Sequence, residues 1–359
     1  MRHRPHTAPA LWAALAVTVV ACTDVPAPQP VESPAASVLP RRAFDLAGAD
    51  QARPCRAAPY RLFDFWLGNL MVVDAATGAD LGHTNVVTRD LGGCAIQEHW
   101  TTAEGFRGRS LNAYDAADGR WHQHWVDDGF NDFTLEGDSP APGTMVLSGG
   151  EMRTPAGVVT QRVTWTRMSS QRTRQLGEGS VDGGTTWTTQ FDVLYDRRPQ
   201  VTPAPAVENP FGCANFPRPH QFDFLLGTWE VRLTSAAGAG EPLAVTSVTT
   251  DLTHCLLEEQ LTGAGGYEGR SFAAVNRLPL RWERTYVDNE GHRVFLAGGR
   301  QPDGSMVLAG TKRLAGGATV DLRVTWQPVT PDEVLQRWEI SMDGGGTWAP
   351  ELELTMRRR

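Results

Sequence analysis

Two short stretches of the chain set a carboxylate inside an apolar alternation. Ile96, Glu98 and Trp100 fall on one face of an extended segment, and Leu257, Glu259 and Leu261 do the same further on. Successive side chains of a strand point to opposite faces. Each Glu is therefore aimed into an interior with its apolar neighbours, where it must find a counter-charge or hydrogen bonds. Folding the next hairpin about Gly105 sets Ile96 opposite Leu111 and Glu98 opposite Arg109; the matching fold sets Leu257 opposite Phe272 and Glu259 opposite Arg270. On a further segment Trp121, Gln123, Trp125 and Asp127 share a face, echoed by Trp282, Arg284, Tyr286 and Asp288. The candidate ligand-binding groups are thus Glu98, Arg109, Gln123, Trp125 and Asp127, and then Glu259, Arg270, Arg284, Tyr286 and Asp288. Charged and amide groups set into aromatic walls can orient the polar head of a partly apolar molecule. The same groups also suit a buried ion pair that only closes a core.

These residues come in pairs because the chain is a repeat. Phe63-Asp64-Phe65-Trp66-Leu67-Gly68 returns as Phe222-Asp223-Phe224-Leu225-Leu226-Gly227. From Asp90 and Asp251 onward the register holds unbroken: Gly108-Arg109-Ser110 with Gly269-Arg270-Ser271, Met145-Val146-Leu147 with Met306-Val307-Leu308, Arg162-Val163-Thr164-Trp165 with Arg323-Val324-Thr325-Trp326. The 359 residues divide into an export signal over 1–21, a Pro/Ala-rich tether over 22–54, a first domain over 55–198, a linker over 199–212 and a second domain over 213–359. Tether and linker read as extended and solvated. Each domain is long enough to bury its own core.

Within a copy, apolar residues alternate over short runs and Gly, Pro, Asp and Asn fall between the runs, with no sustained helical period. Strands are expected near 66–73, 83–91, 94–100, 107–114, 121–127, 130–137, 145–152, 160–167, 172–180 and 186–195. About ten sequential hairpin strands remove their edges by closing, so the expected fold is all-β, two tandem antiparallel up-and-down barrels. Cys55 and Cys94 in one copy, and Cys213 and Cys255 in the other, sit before the first strand and after the shared Asp. The duplication implies one disulfide within each copy, each closing a loop of ~40 residues and contributing ~4 kcal/mol on the chain-entropy model.

Other groups offer less chemistry. Ser180-x-Asp182-x-Gly184-x-Thr186-Trp187 and its copy from Ser341 to Trp348 resemble the Asp-box of sialidase propellers. A propeller needs several blades, so both are read as hairpins between the ninth and tenth strands. His83, His99, His122 and His124 lie in copy one and His220, His254 and His292 in copy two, at positions that do not correspond. A shared metal site is not expected; a zinc site from His99, His122 and His124 is the candidate considered, against solvent-exposed histidines. Asp127-Asp128 falls at a turn and reads as solvated. No nucleophile, phosphate-cradling loop or cysteine cluster points to catalysis, so no catalytic residue, metal or cofactor is expected.

Leu226-Gly227-Thr228-Trp229-Glu230-Val231 resembles the Gly-x-Trp opening of the calycin superfamily, which includes lipocalins, fatty-acid-binding proteins and nitrobindin-like barrels. With the Phe-Asp-Phe-x-Leu-Gly opening, the chain resembles a tandem of uncharacterised bacterial calycin-like domains over residues 55–198 and 213–359. The resemblance implies that a basic residue of the closing strand packs on that Trp, a place Arg358 fits; copy one has Leu70 for the Trp and keeps Arg197. Nitrobindin-like barrels hold haem through a His near the closing strands, and residues 172–195 and 335–356 contain none.

A net charge of -8 repels a polyanion, which argues against a nucleic-acid partner. Arg2 and Arg4 precede an apolar run from Leu11 to Val20, too short to span a bilayer but suited to a signal peptide. Val19-Val20-Ala21-Cys22 resembles a bacterial lipobox, which implies acylation of Cys22 and an anchor on the periplasmic face of the outer membrane. The leading expectation is a non-enzymatic envelope lipoprotein that binds a small, partly apolar ligand in its barrels and meets the membrane only through its anchor. The competing readings are an interaction module whose barrels are filled by some of the 12 tryptophans, and an enzyme using an inner Glu/Arg cluster for acid-base work.

Overall fold

Alternation along each segment decides which face turns inward. In the segment Gly157–Arg167 the side chains of Val159, Gln161, Val163 and Trp165 are buried and those between them are not; in Thr319–Thr330 the buried set is Val320, Leu322, Val324 and Trp326. Each apolar side chain so buried contributes about 1.5–3 kcal/mol. A computed structural model describes residues 54–154, 157–207, 209–210, 212–234, 242–313 and 318–359. Cys22, the export signal and nearly all of the tether lie outside the described residues.

The first copy contains β1 (Gly68–Asp74), β2 (Asp80–Asp90), β3 (Ala95–Thr101), β4 (Arg107–Asp115), β5 (Arg120–Asp127), β6 (Asp132–Ala141), β7 (Thr144–Thr154), β8 (Gly157–Arg167), β9 (Arg172–Ser180) and β10 (Thr188–Arg198). The second contains β11 (Gly227–Leu233), β12 (Ala244–Asp251), β13 (Leu256–Gly263), β14 (Glu268–Asn276), β15 (Arg281–Asp288), β16 (Arg293–Arg300), β17 (Met306–Arg313), β18 (Thr319–Thr330), β19 (Glu333–Ser341) and β20 (Ala349–Arg358). Each strand pairs antiparallel with its sequence neighbours, and β1 pairs with β10 as β11 does with β20, so both sheets are closed ten-stranded barrels. Closure leaves no edge to template aggregation.

One end of each barrel is plugged by the 3-10 turns before its first strand. Phe63 stacks on Trp66 with centroids 4.9 Å apart and meets Trp121 and Trp165 edge-on; Phe222 meets Trp282 and Trp326 in the same way. Arg358 lies 4.2 Å from the buried Trp229 ring and donates to the Leu226 carbonyl at 2.7 Å, the contact expected of the closing strand. In the first barrel Arg197 donates to the Leu67 carbonyl at 3.0 Å. Cys55 pairs with Cys94 and Cys213 with Cys255, their Cα atoms 4.9 and 4.8 Å apart, tying each plug segment to the turn before the third strand. Two disulfides suggest an extracellular or periplasmic protein. Among the described residues no helix is long and apolar enough to cross a membrane.

The barrels pack through outer faces. Ala95, Leu111, Ala113 and Val126 of the first join Leu256, Phe272 and Ala274 of the second in one buried apolar cluster. Around it the contacts are reciprocal between equivalent residues. Arg109 donates to Asp251 at 2.7 Å, and its counterpart Arg270 pairs with Asp90, the counterpart of Asp251. His124 Nδ1 lies 3.0 Å from the hydroxyl of its own counterpart, Thr285. Contacts that map onto themselves under exchange of the copies define an internal pseudo-two-fold axis. The barrels therefore run in opposite directions: Phe130, beyond the end of β5, packs on Phe216 of the second plug segment, while Gly291 approaches Tyr60 and Cys55 of the first. The described residues of the linker are mostly exposed, yet they are fastened, with Val207 donating to the Gly105 carbonyl at 3.4 Å and Asn209 to the Asp128 carbonyl at 2.8 Å.

Candidate binding sites in the two lumens

In the first barrel β3 pairs with β4 so that Glu98 faces Ser110 and His99 faces Arg109. The expected pairing of Glu98 with Arg109 is one residue out of step, and so is that of Glu259 with Arg270, since Glu259 faces Ser271. The hairpin is the reason. Thr102 donates to the Phe106 carbonyl across a three-residue loop, 103–105, whose last position Gly105 takes in the left-handed region (φ 85°), whereas the expected pairing corresponds to a two-residue loop, 103–104. A one-residue slip moves every side chain to the other face. Arg109 and Arg270 thus lie outside the lumens, in the seam between the barrels, where both reach Glu258 and each pairs with an Asp of the opposite barrel.

Glu98, Gln123 and Trp125 do share the first lumen. Glu98 is 2 % exposed; its two carboxylate oxygens accept from Asn85 Nδ2 at 2.8 Å and Ser110 Oγ at 2.7 Å. Gln123 donates to Asn112 Oδ1 at 2.9 Å, and Asn112 donates to Ser110 Oγ at 2.9 Å, so the five groups form one buried network. Burial raises the Glu98 carboxyl to about 7 against the two hydrogen bonds that lower it. Tyr195, bonded to Gln175, stands close enough that burial and Glu98 hold its phenol well above its ordinary value. Trp100 and Trp125 face the same lumen, and the Trp125 indole lies over Gly108, where a Cβ would come within 2.2 Å of the ring. Among the described residues Asn85 Oδ1 and the indole nitrogens of Trp66 and Trp165 are buried without a hydrogen-bond partner.

The second lumen repeats the motif with a cation added. Glu259 accepts from Thr246 Oγ1 at 2.9 Å and Ser271 Oγ at 3.1 Å, the counterparts of Asn85 and Ser110. Arg284 replaces Gln123 and pairs with Glu259 at 2.5 Å. Its guanidinium sits 5.4 Å from the Tyr286 ring and 5.3 Å from the Trp326 ring, a cation–π placement, and among the described residues its Nη1 is buried without a partner.

Asp127 and Asp288 fasten the turns after β5 and β15. Asp127 accepts from Trp125 Nε1 at 3.1 Å and from the backbone of Gly129 and Asn131; Asp288 accepts from Tyr267 OH at 2.9 Å and from His292. The Asp127-Asp128 pair is buried rather than solvated, and loss of hydration raises Asp128 to about 6. His122 and His124 do point away from the lumen, but packing against the second barrel buries both, against the expectation of exposed imidazoles. His99 is separated from them by β4, so the three do not form a zinc site. Asn85, Ser110, Asn112 and Thr246 were missed in the sequence. Ser110 and Ser271 stood in plain view beside the two arginines, and only the register made them face Glu98 and Glu259.

Both Asp-box segments are the expected ninth-to-tenth-strand hairpins: Asp182 Oδ1 accepts from Thr185 and Thr186 backbone N–H at 3.0 and 2.9 Å, Trp187 donates to the Gly184 carbonyl, and Arg162 covers the indole at 4.1 Å. An open groove of about 520 Å³ between the barrels is lined by Phe133 and Glu151 on one side and Asn276, Leu278, Arg281 and Glu283 on the other. Arg281, Glu283 and Asn276 there satisfy one another.

No family model matches the chain, and no curated protein matches its sequence. Among solved structures, an arginine-to-alanine triple mutant of AofleA from Arthrobotrys oligospora aligns over 78% of this chain and 93% of that chain at 9% identity and a TM-score of 0.16, which is too low to carry an argument. Two closed ten-stranded antiparallel barrels in tandem are consistent with a calycin-like fold.

Proposed function

We propose that this protein is a calycin-like, non-enzymatic lipoprotein of the cell envelope, anchored through Cys22, that binds a small, partly apolar molecule in its lumens. The supporting observation is a carboxyl held in the same way in both barrels, Glu98 buried between Asn85 and Ser110 and Glu259 half-buried between Thr246 and Ser271. A core needs no carboxyl at that depth, and burying one is costly unless it is paired. In this reading the protonated Glu98 and its amide neighbours take a neutral, hydrogen-bonding head group. The Arg284–Glu259 pair takes an acidic or carbonyl head on the open side of the guanidinium. The apolar remainder lies against Trp100, Trp125, Tyr286 and Trp326. The lower half of each lumen, filled by Phe63, Trp66, Trp121 and Trp165 or their counterparts, favours a second reading in which the barrels are self-filled interaction modules.

Intact-mass spectrometry of protein purified from its host membranes tests both halves of the proposal. The expected result is a mature chain beginning at an acylated Cys22 and carrying a small molecule that is lost in the Glu98→Gln, Glu259→Gln double variant. A chain that arrives empty, or holds its passenger through both substitutions, overturns the ligand reading; an unacylated N-terminus overturns the anchor.

A further inference from the structure

Beside the second plug, two imidazoles converge on one carboxylate. His220 Nδ1 lies 2.7 Å from Asp223 Oδ2, His254 Nε2 lies 2.7 Å from Asp223 Oδ1, and the rings are 4.0 Å apart. The donor atoms all fall within 4.8 Å of one another, and the side chains keep 37%, 36% and 16% of their exposure for His220, Asp223 and His254, so the group is open to ions from solvent.

The first barrel shows what this position does without imidazoles. There the equivalent of Asp223 is Asp64, the equivalent of His220 is Arg61, and the equivalent of His254 is Gly93. Arg61 bonds to the Cys55 and Gly93 carbonyls and sits 3.7 Å from Asp64, which also pairs with Arg89: fixed positive charge joins the plug segment to the turn before β3. In the second barrel that charge is gone. His220 Nε2 is 3.0 Å from the Ala214 carbonyl, so it carries a proton. His220 Nδ1 then meets the Asp223 carboxylate either through a second proton or through a metal ion in that proton's place.

Backbone conformation adds a second observation. The turn before β3 is left-handed at Leu91, Gly92 and Gly93 (φ 51°, 63° and 102°), and two glycines take most of the strain. The matching turn before β13 is left-handed at Leu252, Thr253 and His254 (φ 54°, 53° and 69°), with no glycine. The second copy holds an imidazole at a position where glycine folds more easily, and that imidazole is aimed at Asp223.

We propose that His220 Nδ1, His254 Nε2 and the Asp223 carboxylate form a site for one zinc-class divalent transition-metal ion, with water in the remaining position. Two nitrogens and one carboxylate oxygen are a common zinc set, and tetrahedral ligands ~2.1 Å from the metal stand roughly 3.4 Å apart, so the two 2.7 Å contacts need to open by about 0.7 Å. The Ala214 carbonyl serves as the outer partner that fixes the tautomer of a metal-bound histidine. Any proton on Nδ1 of His220 or Nε2 of His254 leaves to solvent as the metal enters, and nothing is oxidised or reduced. The bound ion fastens the plug segment to the β12–β13 turn alongside the Cys213–Cys255 disulfide, as Arg61 does in the first barrel.

Calorimetric titration of the full chain with zinc chloride is the test. One zinc per chain is expected, weakened by about 100-fold or more in His254→Gly and in His220→Arg, which recreate the residues of the first copy, and unchanged in His122→Ala, which removes the other His/Asp group of the fold. Since glycine suits that turn, His254→Gly without zinc should melt no lower than the parent chain, and zinc should raise the melting temperature of the parent and of His122→Ala but not of His254→Gly. No zinc binding by the parent chain, or zinc binding that His254→Gly retains in full, overturns the proposal.

Discussion

Glu98 is the residue on which pH acts most directly. At low pH its carboxyl is protonated in folded and unfolded chains alike, and it costs nothing. Between its ordinary value of 4.5 and about 7 the unfolded chain gives up a proton that the folded chain keeps, so stability falls as pH rises through this window. Above about 7 the loss is complete, and on a 1.36 kcal/mol scale per pH unit it amounts to about 3 kcal/mol. Glu98→Gln removes the titration. Urea unfolding should find the variant about 3 kcal/mol more stable than the parent near pH 8 and equal to it near pH 4; a difference that does not change with pH would count against a buried, titrating carboxyl.

Among the elements, the β3–β4 hairpin decides most. Its loop places Gly105 in the left-handed region, and a Cβ there would stand 2.4 Å from the Pro205 carbonyl of the linker. The counterpart loop has Gly266 at φ 79° with nothing within 4 Å of a Cβ. Gly266→Ala should therefore carry only the conformational cost, about 1 kcal/mol, whereas Gly105→Ala should cost about 2–3 kcal/mol and lift the linker from the barrel. Limited proteolysis checks the second point: Gly105→Ala is expected to be cut within residues 199–212 faster than Gly266→Ala, and equal cleavage would show that the linker is not held at this loop.

At the scale of the whole molecule the duplication has produced an internal dimer. The Arg109–Asp251 and Arg270–Asp90 pairs flank an apolar seam through Leu111 and Phe272, and both arginines share Glu258, which stands where the first copy has Gln97. That one carboxylate breaks the symmetry and gives the two guanidinium groups a common partner. The opposed barrels set their plugged ends on opposite sides of the seam. Leu111→Asp would bury an unpaired carboxylate in the seam, at a cost of several kcal/mol, without touching either lumen. Small-angle scattering should show a larger radius of gyration with the circular dichroism of the strands retained. An unchanged radius would mean that the linker and the ion pairs suffice to hold the barrels together.

Local pattern and repetition determined much of this protein by themselves. All ten strands of the first copy lie within a few residues of the positions that alternation predicts, the duplication correctly paired Cys55 with Cys94 and Cys213 with Cys255, and Arg358 meets Trp229 as the opening motif implies. Those features depend on neighbours in sequence or on a copy to compare. Register was different, because Gly105 can open the fourth strand after a two-residue loop or close a three-residue one, and that choice alone moved Arg109 and Arg270 from lumen to seam while bringing Ser110 and Ser271 to the carboxylates. The burial of His122 and His124 was likewise settled by packing against a second barrel, and that of Asp128 by Arg107 and the linker, none of which a single strand encodes. The cluster of His220, Asp223 and His254 joins a plug segment to a distant turn, and only the closed barrel brings their side chains within reach of one ion.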